Sequence, residues 1–294
     1  MKTPEFKDVG FEDKAELDSV FSIEQPEISE YTFTNLFVWR KARGFKICRT
    51  GNGILITGKS DNKEFFFPPI GFDDINEGYK TIMRYAEKFS VSPEVHRVPN
   101  SHLHALKNSG LSFVADRNNF DYVYRTKDLA FLKGRHYDGK RGFVRKFFNS
   151  YDFECKEYSV SLKDKCLNLV RRWAEKKGGF NDSLLAEFNA IEDMLDNYER
   201  LNCSGCIAHI EDKVIGFSFG EELNKSTFVV HFEKADIDYD GIYQAINQRF
   251  VENRVLGNYD FINREQDLGI EGIRKAKKSY FPVKMIEKYI VNLA

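Results

Sequence analysis

"STFVVHFEKADIDYDGIYQAINQRFVENRVLGNYDFINREQD", residues 226–267, decides how the chain is read. "STFVVHF" is rich in β-branched and aromatic residues and reads as a strand. A helical pattern follows from Gly241 to about Arg254, and "YDFI" restores a short strand. Strand, helix and strand in this order predict a right-handed crossover between two parallel strands, whose carboxyl ends then lie on one edge of the sheet. Open sheets bind ligands at that edge. The polar residues that leave the two strands, His231, Glu233 and Lys234 from the first and Asn263, Arg264, Glu265 and Asp267 from the second, are therefore expected to converge on a cleft.

Upstream of this unit, the helices "SLKDKCLNLVRRWAEKK" and "LLAEFNAIEDMLDNYERL" precede a hairpin made of "GCIAHI" and "VIGFSFG", with Glu211-Asp212-Lys213 at its turn. Downstream come the helix "IEGIRKAKKS" and a closing strand "KMIEKYIV". The first half has the same order. Helices around Lys14–Phe21 and Glu30–Arg43 precede the hairpin "FKICRTGNGILITG", the strand "KEFFFPP", the helix "INEGYKTIMRYAEKF", the strand "VHRV", the helix "SHLHALKNSG" closed by Gly110, and the strand "FDYVYR". The two series align at an offset of roughly 160 to 170 positions with low side-chain identity, so the chain reads as a duplicated α+β domain with a mixed sheet in each half. The pattern lapses inside "KGRHYDGKRGFVRKF", which places the boundary near Gly134 and gives domains 1–134 and 135–294.

With 294 residues, 42% of them hydrophobic, the chain can bury a real core and is long enough for two domains or one large one. The formal net charge of -1 argues against bulk electrostatic capture of nucleic acid and leaves local patches to be read one by one. No segment reaches the run of about 18 apolar residues that crosses a bilayer, and the N-terminus has no signal-peptide core. A cytoplasmic protein is expected. Five cysteines without framework spacing suit reduced thiols, and Cys203-Ser204-Gly205-Cys206 with His209 lacks the second ligand pair of a structural zinc site. These cysteines are expected to be buried, and no metal is expected.

Asp236, Asp238 and Asp240 crowd the start of the helix opened by Gly241. One or two acids there serve a cap and the helix dipole. Three would repel a pyrophosphate and suit a ligand ammonium. Two basic clusters complete the inventory. One carries Lys133, Arg135, Lys140, Arg141, Arg145 and Lys146; the other carries Arg274, Lys275, Lys277 and Lys278, with Tyr280 behind them. Arg and Lys interleaved with aromatic rings can hold phosphates while a ring stacks a base.

"KGRHYDGKRGFVRKF", "HFEKADIDYDGIYQAIN" and "NREQDLGIEGIRKAKKSYFP..MIEKY" occur in this order and together resemble the C-terminal domain of phosphatidylglycerol lysyltransferase over nearly the whole chain. The resemblance implies two tandem acyltransferase folds of the GNAT type, like the Fem peptidyltransferases. It also implies transfer of an aminoacyl group from charged tRNA to a lipid hydroxyl or peptide amine, without metal or prosthetic group. Acetyl-CoA enzymes of this fold usually have a Gln/Arg-x-x-Gly-x-Gly/Ala loop where this chain has the acidic "DIDYDGIY", which disfavours CoA.

Attack on an ester needs alignment, a place for the oxyanion and a modest base. His231 and Glu233 are the base candidates, while Arg264 and Lys277 could stabilise charge. Substrate contacts are expected from Asp236, Asp238, Asp240, Asn263, Glu265, Asp267, Arg274, Lys275, Tyr280, Arg135, Lys140 and Arg141. The leading expectation is an aminoacyl-tRNA-dependent transferase with a small-molecule, lipid or peptide acceptor and peripheral membrane contact. The alternatives are a CoA-dependent N-acyltransferase and a non-catalytic module that binds RNA or an anionic membrane.

Overall fold

The computed structural model describes residues 5–60, 63–89, 93–106 and 111–293, so Gly110, expected to close a helix, lies outside them. Its strands in chain order are β1 (Lys7–Asp8), β2 (Lys46–Thr50), β3 (Gly53–Ser60), β4 (Lys63–Phe66), β5 (Glu94–Pro99), β6 (Ser112–Ala115), β7 (Asp121–Arg125), β8 (Glu154–Lys156), β9 (Ser204–Ile210), β10 (Lys213–Asn224), β11 (Thr227–Ala235), β12 (Phe261–Asn263), β13 (Lys284–Ile286) and β14 (Lys288–Asn292). They form two seven-stranded sheets, β1-β2-β3-β4-β5-β14-β6 and, read in the matching direction, β8-β9-β10-β11-β12-β7-β13.

The two orders correspond place by place. Each sheet is antiparallel up to its fourth strand, turns parallel at the next pair (Phe66↔Val95 in one, Val229↔Asn263 in the other), and resumes antiparallel pairing with β14 or β7. This is the expected duplication with one exchange. β7 follows β6 in the chain yet lies in the second sheet, and β14 returns to fill the same place in the first.

The compact units follow that exchange. One comprises Met1–Asp121, Gln266–Arg274 and Met285–Ala294; the other comprises Tyr122–Glu265 and Lys275–Lys284. The division thus falls between Asp121 and Tyr122 instead of at 134/135, and two C-terminal segments belong to the first unit. "KMIEKYIV", expected as one strand, is split at Glu287 into β13 and β14, which join different sheets. Alternation of side chains assigns faces to a strand and says nothing about its partner.

In the first unit Leu55, Phe66, Ile82, Val95, Val98 and Val291 form one buried cluster. Burying side chains of this size contributes about 1.5–3 kcal/mol each. β14 is held there by charge as well. Lys288 is fully buried, and its Nζ reaches Asp121 Oδ1 at 2.7 Å and Glu30 Oε2 at 2.5 Å. Ser29 Oγ donates to Asp121 Oδ1 at 2.9 Å, and Arg97 Nε lies 3.2 Å from Glu30 Oε1. A buried network of this kind adds little net stability but fixes which strand enters the sheet, because any other register strands a charge.

In the second unit the helix Ile242–Phe250 buries Ile242, Ala245 and Ile246 against Ala208, Ile215 and Ala235 of the sheet and Phe147 of the helix Asp138–Ser150. Its N-cap, Gly241, has φ 90°, and a Cβ there would stand 2.5 Å from the Phe143 carbonyl oxygen, so glycine alone fits. The crossover predicted for this stretch is present, and the helix ends in a π-helical turn, Val251–Val255. Among the described residues no helix is long and apolar enough to cross a membrane.

Candidate active site

The parallel ladder between β11 and β12 is short, running from Thr227↔Phe261 to Val229↔Asn263, whereas β11 continues to Ala235 against β10. Past Asn263 the chain stays against β7, where Arg264 N donates to the Tyr122 carbonyl at 2.9 Å. Asn263 makes the turn. Its Oδ1 accepts the Glu265 amide at 2.8 Å and supports Glu265 at a left-handed φ of 55°. The ladder stops where polar side chains of both strands gather, all within the second unit.

His231 is held between two carboxylates, with Nδ1 2.8 Å from Glu265 Oε1 and Nε2 2.8 Å from Glu221 Oε1. Its side chain is only 2% exposed. Burial alone would lower its pKa, but the two carboxylates outweigh burial and push it up to about 9. At neutral pH the ring is an imidazolium that donates from both nitrogens. An imidazolium has no lone pair to accept a proton, and this geometry sets His231 as a clamp on Glu221 and Glu265.

Glu233 accepts from Arg264 Nη2 at 2.9 Å and from Asn247 Nδ2 at 3.2 Å. The guanidinium lies 5.1 Å from the Tyr280 ring centroid and 5.9 Å from that of Tyr124, within cation–π range. Burial opposes its charge, and Glu233 with the two tyrosines more than restores it. Arg264 also shares a side-chain hydrogen bond with Tyr280, while its Nη1 is buried with no acceptor in hydrogen-bonding geometry. Lys277 Nζ caps the Arg264 carbonyl at 2.5 Å. Lys140 sits 4.2 Å over the Tyr280 ring and donates to Ser279 Oγ at 2.7 Å, its pKa lowered by burial and then by Arg264. Tyr280 is itself buried, and its carbonyl accepts from Tyr137 Oη at 2.8 Å.

The acidic turn is matched by lysines of this chain. Asp236 is buried 2.7 Å from Lys176 Nζ and 3.0 Å from Lys213 Nζ, Asp238 also pairs with Lys176 at 2.5 Å, and Asp240 meets Lys146 at 2.6 Å. Burial would raise the Asp236 pKa, and the bonds from Lys176 and Lys213 carry it below the ordinary value. The turn's amides are also used: Asp236 N donates to Ile215 O, Asp238 N to Asp236 Oδ1, and Tyr239 N to Asp236 O.

Asp267 and Arg274 belong to the first unit. The carboxylate is fully buried there and accepts from Arg274 Nε and Nη2, both at 2.9 Å, and from the Gly269 amide at 2.8 Å. Arg141 ties its own loop, donating to the carbonyls of Leu132 and Gly134 and pairing with Asp138. Arg135 and Lys275 are exposed. Of the expected residues, the structure therefore gathers His231, Glu233, Asn263, Arg264, Glu265, Lys277, Tyr280 and Lys140, while the others are engaged elsewhere or face solvent.

Several residues of the cluster escaped the sequence reading: Glu221, Tyr124 and Asn247. Lys234, expected at the same edge, instead lies with its Nζ 2.8 Å from Glu187 and 3.9 Å over the Trp173 ring. Glu221 had a signal in "GFSFGEEL", where an acid interrupts an apolar strand. Cys203 and Cys206 are buried as expected, and all five cysteines are free thiols.

A family model described as "Phosphatidylglycerol lysyltransferase, C-terminal" matches residues 21–292. A crystal structure of a conserved protein of unknown function from Bacteroides thetaiotaomicron is 31% identical, covering 99% of this chain and 100% of that one, with a TM-score of 0.92. L-PGS from Bacillus licheniformis shares the fold at 13% identity over 95% of this chain and 91% of that one, with a TM-score of 0.68. FemX does so at 9% over 98% and 96%, with a TM-score of 0.65. An uncharacterized protein of Mycoplasmoides gallisepticum is 26% identical over 180 residues, which make up 59% of this chain and 56% of that protein, so the match spans just over half of this curated relative. These neighbours share a tandem GNAT-like fold, and the family description names a lysyltransferase. On the family model and the near-complete structural match, the chain belongs to the phosphatidylglycerol lysyltransferase C-terminal family.

Proposed function

We propose that the chain transfers an aminoacyl group from charged tRNA to a lipid hydroxyl or a peptide amine at the end of β11. The observation that carries this reading is Arg264, fixed by Glu233 through one nitrogen while Nη1 is buried without an acceptor. A buried donor left unpaired in the resting protein is poised for charge that develops only during reaction. In this reading Glu233 takes the proton of the attacking hydroxyl or amine as the new bond to the ester carbonyl forms. The tetrahedral oxyanion is held by Nη1 of Arg264. Collapse breaks the bond to the ribose oxygen of the tRNA, which leaves with the proton returned from Glu233. His231 keeps Glu221 and Glu265 in place, and Lys140 over Tyr280 offers a cation for a phosphate beside that ring.

The family description, which names a phosphatidylglycerol lysyltransferase, favours a phospholipid among the acceptors. Internal use of the Asp236, Asp238 and Tyr239 amides, together with the acids of this turn, disfavours a pyrophosphate there and with it the CoA-dependent alternative. Incubation with a pool of tRNAs charged with radiolabelled amino acids, plus phosphatidylglycerol vesicles and a peptide extract, tests the reading. Label should move from tRNA to an acceptor only when the protein is present, and Arg264→Ala should lower that rate about a hundredfold. Equal transfer by the variant would remove Arg264 from the mechanism, and saturable turnover of a CoA thioester instead would favour the alternative.

A further inference from the structure

Cys155 on the short edge strand β8 and Cys206 on β9 lie on one face of the second sheet. The register pairs Cys155 with Ala208, which makes Cys206 its diagonal neighbour on that face. Their sulfurs are 2.7 Å apart, although both are free thiols. A disulfide needs about 2.05 Å, so the sulfurs have only about 0.6 Å left to close. The remaining cysteines, Cys48, Cys166 and Cys203, are buried.

The two thiols are unequal. Cys206 is buried, whereas Cys155 is partly accessible. The contact with Cys206 lowers the Cys155 pKa against burial, and Arg249 and Arg254 act in the same direction. The same contact, with burial, raises that of Cys206. A partly accessible thiol beside a buried one matches the division between an attacking and a resolving cysteine.

We propose that Cys155 and Cys206 form a reversible dithiol–disulfide site that responds to hydroperoxides and clips the edge strand β8 to β9. The Cys155 thiolate attacks one peroxide oxygen. The S–O bond forms, the O–O bond breaks, and hydroxide leaves to take a proton from solvent; sulfur is oxidised by two electrons and peroxide reduced by two. The Cys206 thiol then attacks the sulfenic sulfur, the S–S bond forms, and the hydroxyl leaves as water with the thiol's proton. A small dithiol reductant reverses the exchange.

Stoichiometric hydrogen peroxide added to the fully reduced protein tests this. The expected result is a monomer lighter by two hydrogens, a single Cys155–Cys206 cross-link in the non-reducing peptide map, and full recovery with dithiothreitol. In Cys206→Ser, dimedone should label Cys155, whereas Cys155→Ser should give neither adduct nor cross-link. Because either variant could lose its fold, iodoacetamide is also applied to the original protein, where Cys155 should be alkylated first among the five. A cross-link through another cysteine, no cross-link, or earlier alkylation of Cys48, Cys166 or Cys203 would overturn the proposal.

Discussion

Arg264 and Glu233 meet at 2.9 Å across the point where the β11–β12 ladder ends, and neither side chain has more than 13% of its surface exposed. Removing one partner leaves the other charge buried and uncompensated. Arg264→Met should therefore destabilise the protein by about 3 kcal/mol. The double variant Arg264→Met with Glu233→Gln should recover much of that loss, because no lone charge remains. Urea unfolding of the two variants decides it, and equal destabilisation would mean that the pair is solvated.

His231 ties stability to pH. Its folded pKa is raised to about 9, against about 6.5 in an unfolded chain. The folded state therefore holds the proton more tightly, and the stabilisation is complete below about pH 6.5 and lost as pH rises through about 9. The gap corresponds to about 3 kcal/mol. His231→Gln should flatten unfolding free energy between these pH values while leaving its slope below pH 6 unchanged. An unaltered slope across the window would show that the ring titrates elsewhere.

The crossover was legible because its signals are local: a β-branched run, a helix opened by glycine and a short strand that ends in charge. From this, the meeting of Glu233 with Arg264 and of His231 with Glu265 followed as a topological consequence. Glu221 did not, because a register shift between Phe219 and Gly220 lies between it and any alternation counted from the hairpin. The exchange of β7 and β14 was hidden for a different reason. "FDYVYR" and "KYIV" each read as good strands, and nothing in a strand's own sequence names the sheet it enters. The acids after β11 misled in a third way, since Lys146, Lys176 and Lys213 come from distant stretches of sequence.

Lys288 tests the strand exchange. Lys288→Met keeps the length of the side chain and leaves Glu30 and Asp121 buried without their ammonium. A loss of about 3–5 kcal/mol is expected, with amide exchange fastest in β5, β6 and β14. Wild-type exchange in those strands would mean that the apolar contacts of Val291 alone hold β14 in place.

Lys140 and Arg141, neighbours in the first basic cluster, have different tasks in the folded chain. Arg141 spends its guanidinium on the carbonyls of Leu132 and Gly134 and on Asp138. Arg141→Ala should therefore lower the melting temperature while leaving the salt dependence of tRNA binding nearly intact. Arg135 and Arg145 are exposed on the same segment, and Lys140 presents its ammonium beside Ser279 and Tyr280. If this face holds the tRNA backbone, each of Arg135→Ala, Lys140→Ala and Arg145→Ala should reduce the slope of log affinity against log salt by about one unit per lost phosphate contact. Fluorescence anisotropy with labelled tRNA between low and moderate salt gives that slope directly. Slopes unchanged in all three variants would place the tRNA elsewhere, and a reduced slope in Arg141→Ala alone would mean that the loop contacts break when tRNA binds.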